Sequence, residues 1–345
     1  MKNTLRAMSV ALAGLLAFAL AACGGTAGGG QDGKTVTVYT VDGLEDWYAK
    51  RFEEFKAQTG ITVQAVTAGS GEVASRVEKE KSNTKADLLV TLPPFIQRAA
   101  SQGLLAPSAP SGVDKVPAGA RDPRGRYAAV ITNYLDFVYN PKQATPPPKS
   151  WDDLLDPRFK GKIQYSTPGE AGDGTAVLLQ LQHVLGDQGA LDYLKRLEAN
   201  NVGPSSSTGK LQPKVAKGEI LVANGDLQMN LAEIDSSGGF DVFFPADATG
   251  KRSTFALPYY AGLVANAPHA DNAKKLLDFL FSPEVQGKAV DTYGMPACTD
   301  VTPSGPRAEK FAAALKGVEI WQPDWDAVLG RLDADLAAYK KAVGR

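Results

Sequence analysis

Residues 35–103 alternate strand and helix three times, and this alternation limits the fold more than any other feature. The run 35–40 (TVTVYT) alternates with period two and is rich in β-formers. Residues 44–59 carry Trp47, Tyr48, Phe52 and Phe55 at helical spacing, with Gly60 as a stop. Strand 61–66, helix 72–81, buried strand 86–90 and a short helix 95–102 closed by Gly103 complete a β-α-β-α-β-α series. That series predicts a parallel sheet with helical crossovers. The pattern breaks twice. Residues 125–140 and 254–265 are long strand material without an intervening helix, so each suits a passage from one sheet to another. Between the breaks, alternation resumes: strand 161–165, helix 174–185 stopped by Gly186, helix 190–197, strand 219–223 and strand 240–244. Helices 270–281, 283–293 and 325–343 follow the second break. The expectation is an α/β chain in two lobes of discontinuous sequence, 34–133 with 262–345 and 134–261, each a mostly parallel sheet flanked by helices. Ligands of open α/β sheets sit outside the carboxyl ends of strands. Two such edges face to face make a hinged cleft.

The N-terminus reads as an address. Lys2 and Arg6 precede an apolar stretch, 8–22. It is short for a membrane span of about 20 residues and fits a signal-peptide core. It ends Leu20-Ala21-Ala22-Cys23-Gly24-Gly25, which resembles the bacterial lipobox, whose Cys is lipidated and becomes the first mature residue. The expectation is a lipoprotein signal peptide over 1–22 and a lipid-anchored, glycine-rich tether over 23–33. The protein would then be exported and held to the membrane only through Cys23. In the 345-residue chain, 37 Lys and Arg meet 38 Asp and Glu, a net charge of −1 that gives no footprint for nucleic acid. Two His and two Cys are too few for a zinc cage. GxSxG, HExxH and Cys-His pairings are absent from the sequence. An exported enzyme acting on phosphate esters would need a nucleophile or metal that these residues do not identify, so neither enzyme activity, metal nor cofactor is expected.

Three loops at predicted strand ends are rich in Gly, Ser and Thr and lead into helices: Gly69-Ser70-Gly71-Glu72, Ser166-Thr167-Pro168-Gly169 running on to Gly172-Asp173-Gly174-Thr175, and Ser205-Ser206-Ser207-Thr208-Gly209-Lys210. Helix N-termini with small hydroxyl residues suit a phosphate-like oxyanion. The same residues also serve as ordinary caps and turns; three such loops on one cleft tilt the balance toward the anion. The third loop is not a P-loop, because five residues separate Gly203 from Gly209 and Leu211 stands where Ser or Thr would be needed. Carboxylates beside these loops are Asp42, Glu72, Asp173 and Asp226, suited to a cationic group on the ligand. Tyr39, Tyr134, Tyr259 and Tyr260 lie near the same edges, where an ammonium can rest on an aromatic face.

Several long strings carry a resemblance. Val38-Tyr39-Thr40-Val41-Asp42-Gly43, the segment 86–100 (ADLLVTLPPFIQRAA), Gln164-Tyr165-Ser166-Thr167-Pro168-Gly169, Asp173-Gly174-Thr175-Ala176-Val177, 199–205 (ANNVGPS) and 222–230 (VANGDLQMN) resemble the 2-aminoethylphosphonate-binding proteins of bacterial ABC importers. Gly294-Met295-Pro296 and Trp321-Gln322-Pro323-Asp324-Trp325 extend the likeness. The resemblance implies a two-lobed type II periplasmic binding protein, acting as a monomer, that captures 2-aminoethylphosphonate or a related phosphonate and delivers it to permease and ATPase subunits. It implies a ligand set drawn from Tyr39, Thr40, Asp42, Ser70, Gly71, Glu72, Ser166, Thr167, Gly174, Thr175, Ser207, Asp226 and Tyr259. Ser70, Ser166, Thr167, Thr175 and Ser207 with neighbouring amides would hold the phosphonate. Asp42, Glu72 or Asp226, with Tyr39 or Tyr259, would receive the ammonium. The wider superfamily offers ferric-ion, thiamine and polyamine binders as alternatives. Its iron binders carry consecutive tyrosines where this chain reads Asp226-Leu227-Gln228, which weighs against iron. The Cys23 anchor departs from the free periplasmic form of the family.

Overall fold

The expected alternation is realised in a computed structural model that describes residues 32–345; the expected signal peptide, Cys23 and most of the tether lie outside the described residues. β1 (Thr35–Thr40), α1 (Glu45–Thr59), β2 (Thr62–Thr67), α2 (Ser70–Lys79), β3 (Leu88–Thr91), α3 (Phe95–Ser101) and β4 (Leu105–Ala106) follow in order. β1 pairs in parallel with both β2 and β3. After β5 (Tyr127–Thr132) the chain passes Asn133 and Tyr134 and enters β6 (Leu135–Tyr139), which belongs to a second sheet. There β7 (Ile163–Gln164), α4 (Gly172–Leu197), α5 (Gln212–Lys217), β8 (Val222–Asp226), α6 (Leu227–Ser236) and β9 (Asp241–Phe243) follow. The left-handed backbone at Gly186 (φ +74°) breaks α4 where the sequence places a stop.

The second strand-like break is two strands, not one. β10 (Arg252–Phe255) and β11 (Tyr259–Val264) are separated at Leu257-Pro258, where proline cannot donate to a ladder. β11 returns to the first sheet and runs antiparallel between β3 and β5. Next come α7 (Ala270–Leu280), α8 (Pro283–Gly287), β12 (Met295–Pro296), α9 (Pro306–Ala314), β13 (Val318–Trp321) and α10 (Trp325–Ala342). The expected helix 283–293 stops at Gly287, tightens into a 3-10 turn and ends at Tyr293 with φ +61°.

The first sheet has the order β12-β5-β11-β3-β1-β2 with β4 beside β11, and the second the order β7-β8-β6-β9. The α/β class is as expected, but the sheets are mixed rather than mostly parallel. The strand that enters each sheet from a passage runs against its neighbours: β11 is antiparallel to β3 and β5, and β6 to β8 and β9. The C-terminus also departs from the expected grouping of 262–345 with the first lobe. β13 pairs with β10, and Trp321, Trp325, Val328, Leu336 and Tyr339 pack with Leu178, Leu181 and Leu194 in the second lobe's core. Full burial of an aliphatic side chain stabilises a fold by about 1.5–3 kcal/mol, and α10, with Val328 and Tyr339 buried and Trp325 and Leu336 partly buried, is held there by its apolar stripe. The first core gathers Val36, Val38, Leu88, Leu89, Val90 and Ile131 around the other sheet. No helix among the described residues is long and apolar enough to cross a membrane.

Candidate ligand-binding cleft

Between the sheets lies a cavity of about 760 Å³. The loop after β1 supplies Asp42 and Gly43, the N-cap and first turn of α2 supply Gly69 and Glu72, and the loop before α5 supplies Ser206, Ser207, Gly209 and Lys210. α6 contributes Gln228, Met229 and Glu233. The lining is acidic, with Asp42, Glu45, Asp46, Glu72 and Glu233 set against Lys210.

Under this cavity the strand ends bring carboxylates together. β8 ends at Asp226, which caps α6 by accepting from the Met229 amide at 2.8 Å. β11, from the other sheet, places the Tyr259 hydroxyl 2.9 Å from Asp226 Oδ2, to which it donates. Asp173 lies in the first turn of α4, with Oδ1 buried and without a hydrogen-bond partner. Asp136 in β6 accepts from Asn230 Nδ2 at 2.5 Å through Oδ1, while its Oδ2 finds no partner. Burying an ionised carboxyl without a cation is costly, and the group answers by holding its proton. Burial, reinforced by Asp226, lifts both Asp136 and Asp173 well above the usual carboxylate range. Burial lifts Asp226 to about 6, against the lowering effect of the Met229 amide and the Tyr259 hydroxyl. A positively charged group brought here converts this burden into attraction.

The sequence-predicted residues divide into three groups. Asp42, Glu72 and Ser207 line the cavity, and Asp226 and Tyr259, bonded to each other, are buried behind the lining residue Gly43. Ser166, Thr167, Thr175, Gly71 and Gly174 serve the fold. Ser166 Oγ accepts from Asn224 Nδ2 at 3.0 Å and from Thr208 Oγ1 at 3.1 Å. Thr167 Oγ1 accepts from the Ser205 amide, and Thr175 Oγ1 donates to the Ala171 carbonyl. The Gly71 amide donates to the Glu170 carbonyl of the other lobe at 3.0 Å, so this helix N-terminus is engaged by protein. A side chain on Gly174 would run into the Ser166 carbonyl. Tyr39, Thr40 and Ser70 are buried beside the cleft. Tyr39 donates to Glu80 at 2.7 Å beneath the Arg76 guanidinium, the Thr40 hydroxyl has no partner, and the Ser70 carbonyl accepts from Thr91. Of the three loops, the one from Ser205 to Lys210 brings hydroxyl side chains, Ser206 and Ser207, to the cavity wall.

Sequence reasoning passed over Asp136, Gln212 and Gln228. Asp136 had a signal, a charge inside the apolar strand Leu135–Tyr139. Gln212 and Gln228 had none, because amides at helix starts are ordinary. Gln212 Nε2 donates to Asn230 Oδ1 at 2.9 Å, and Gln228 Nε2 donates to the Thr292 carbonyl at 2.8 Å.

Comparison with known proteins agrees with this architecture. The chain is 50% identical over 312 residues to a Salmonella paratyphi A periplasmic protein provisionally named for 2-aminoethylphosphonate binding, covering 89% of this chain and 91% of the relative. Among solved structures, the periplasmic binding protein AfuA of Actinobacillus pleuropneumoniae, with fructose-6-phosphate bound, superposes with a TM-score of 0.75 at 22% identity, covering 90% of this chain and 97% of that one. The apo ferric ion-binding protein A of Pasteurella haemolytica gives 0.71 at 18% identity, covering 90% and 98%. These structures share the two-lobed type II fold while their names carry different ligands, so fold does not choose the cargo. The model of the bacterial extracellular solute-binding proteins matches residues 83–329, and the chain belongs to that family.

Proposed function

We propose that the protein captures 2-aminoethylphosphonate outside the cytoplasm and delivers it to the permease and ATPase subunits of an ABC importer. The observation that carries this reading is the pairing of two chemistries in one cleft. Ser207 Oγ and the Gly209 amide, which donate to Asp42 in this structure, join Lys210 in placing donors and positive charge on one wall. Asp42 and Asp226 offer carboxylates across from and beneath them. A phosphonate on the loop 205–210 and an ammonium turned toward Asp42 and Asp226 satisfy both. The name borne by the half-identical relative supports the same ligand. Tyr259 from the first lobe donates to Asp226 on the second, so the ligand sits where closure of the lobes completes its surroundings.

The excess of carboxylates supports a second reading, a polyamine, which needs acids and no donor loop. A thermal-shift panel separates the two. 2-Aminoethylphosphonate at 100 times its dissociation constant adds about 2.7 kcal/mol of stability, with putrescine and spermidine silent. Stabilisation by the polyamines alone overturns the first reading.

We also propose that Cys23 carries the lipid anchor and that residues 24–33 tether the binding protein to the membrane. The support is the Leu20-Ala21-Ala22-Cys23 string. Replacing Cys23 with Ala releases the protein from the membrane fraction; unchanged fractionation and unchanged mature mass reject the anchor.

A further inference from the structure

Asp42 follows β1 in the first lobe, yet its side chain bonds across the cleft. Its Oδ2 accepts from Ser207 Oγ at 2.5 Å and from the Gly209 amide at 3.2 Å. A hydroxyl and a backbone amide converging on one point are the donors an oxyanion takes. The donor-rich wall of the cleft is therefore engaged by the chain's own anion. Close approach is built in, because a side chain on Gly209 would sit 3.2 Å from Asp42 Oδ2. The surroundings add negative charge. Asp42 acts as a like charge on both Asp173 and Asp226, and Glu45, Asp46, Glu72 and Glu233 line the same cavity.

We propose that Asp42 is a specificity-determining residue that makes the cleft refuse bare oxyanions, inorganic phosphate above all, and accept an oxyanion only when the same molecule carries a cationic group. The inference rests on the binding reading above and names the residue that enforces it. A bare phosphate must take Ser207 Oγ and the Gly209 amide from Asp42 and then lie beside the displaced carboxylate. Like charges brought together in a partly desolvated cleft repel strongly. A zwitterion makes the same exchange but brings the cation to which Asp42 then turns. Asp42 is half-buried and sits on a loop, so the carboxylate can swing without disturbing either core. Discrimination of this kind works by a repulsive element set against the wrong partner.

The test is titration calorimetry at pH 7.5 on the wild-type protein and on Asp42→Asn, Asp42→Ala and Asp42→Glu, with inorganic phosphate and 2-aminoethylphosphonate as probes. The wild-type protein gives no heat with millimolar phosphate. Asp42→Asn and Asp42→Ala bind phosphate at least tenfold more tightly than wild type and lose at least tenfold in affinity for the zwitterion. Asp42→Glu keeps the charge and still refuses phosphate. Phosphate binding by wild type as tight as that of the zwitterion overturns the proposal. So does an Asp42→Asn protein that gains nothing for phosphate, or an Asp42→Glu protein that gains as much as Asp42→Asn. If wild type ignores 2-aminoethylphosphonate while the neutral variants gain phosphate, the ligand reading fails and the role of Asp42 stands.

Discussion

Asp226 carries structure and chemistry at once: it ends β8, caps α6 and meets Tyr259 from the opposite lobe. Its carboxyl, lifted by burial from 3.8 to about 6, gives the fold a pH signature. The folded state holds this proton through a window in which the unfolded chain has released it. Stability contributed by the group is therefore greatest below about pH 4, falls as pH rises toward 6, and levels off above. Asp136 and Asp173, also held well above the carboxylate range by burial, act in the same direction. Two units of difference correspond to about 3 kcal/mol. Urea unfolding should accordingly give a larger free energy at pH 5 than at pH 7.5, with Asp226→Asn removing about 1.4 kcal/mol of that difference; an unaltered difference contradicts the buried-acid account. The carboxylates Asp42, Glu72 and Asp226 were legible because acids just past strand ends or at helix starts face the cleft of such a fold. The surroundings of the hydroxyls were not legible. A sequence shows that Ser166, Thr167 and Thr175 own hydroxyls, but not that Asn224, the Ser205 amide and the Ala171 carbonyl engage them.

Among the elements, α4 shows how a helix start is shaped by what it touches. Gly174 is helical, and an exposed helical glycine ordinarily gains about 0.5–1 kcal/mol on replacement by alanine. At Gly174 a Cβ meets the Ser166 carbonyl, so overpacking reverses the sign and costs about 1–3 kcal/mol. Gly330 in α10 provides the contrast, since a Cβ there meets nothing within 4 Å. Denaturation of Gly174→Ala and Gly330→Ala should move in opposite directions; both moving upward would show that the 166–174 loop yields freely. The early alternation was legible because each strand and helix pairs with a near neighbour in sequence. β10 with β13 was not, since a parallel pair joining Arg252–Phe255 to Val318–Trp321 leaves no local mark. The docking of α10 escaped notice for the same reason: its apolar stripe shows that it packs but not which lobe receives it.

For the whole molecule, the decisive feature is that bonds cross the cleft at several points. Asp42 reaches Ser207, Tyr259 reaches Asp226, Gln228 reaches Thr292, and the Gly71 amide reaches the Glu170 carbonyl. Arg98 on α3 pairs with Asp333 on α10, an exposed contact worth little by itself. The lobes thus share one binding surface, and a ligand with two unlike ends is the natural tie between them. Two lobes and a cleft were legible from two interruptions in a βα pattern; the mixed sheets were not, because strand direction is set by the route of each passage. The account stands most directly on one calorimetric comparison at pH 7.5 of 2-aminoethylphosphonate with its two halves, ethylphosphonate and ethanolamine. The account predicts micromolar or tighter binding of the intact molecule and at least hundredfold weaker binding of each half. No heat from 2-aminoethylphosphonate at millimolar concentration, or ethylphosphonate binding equally well, would contradict it.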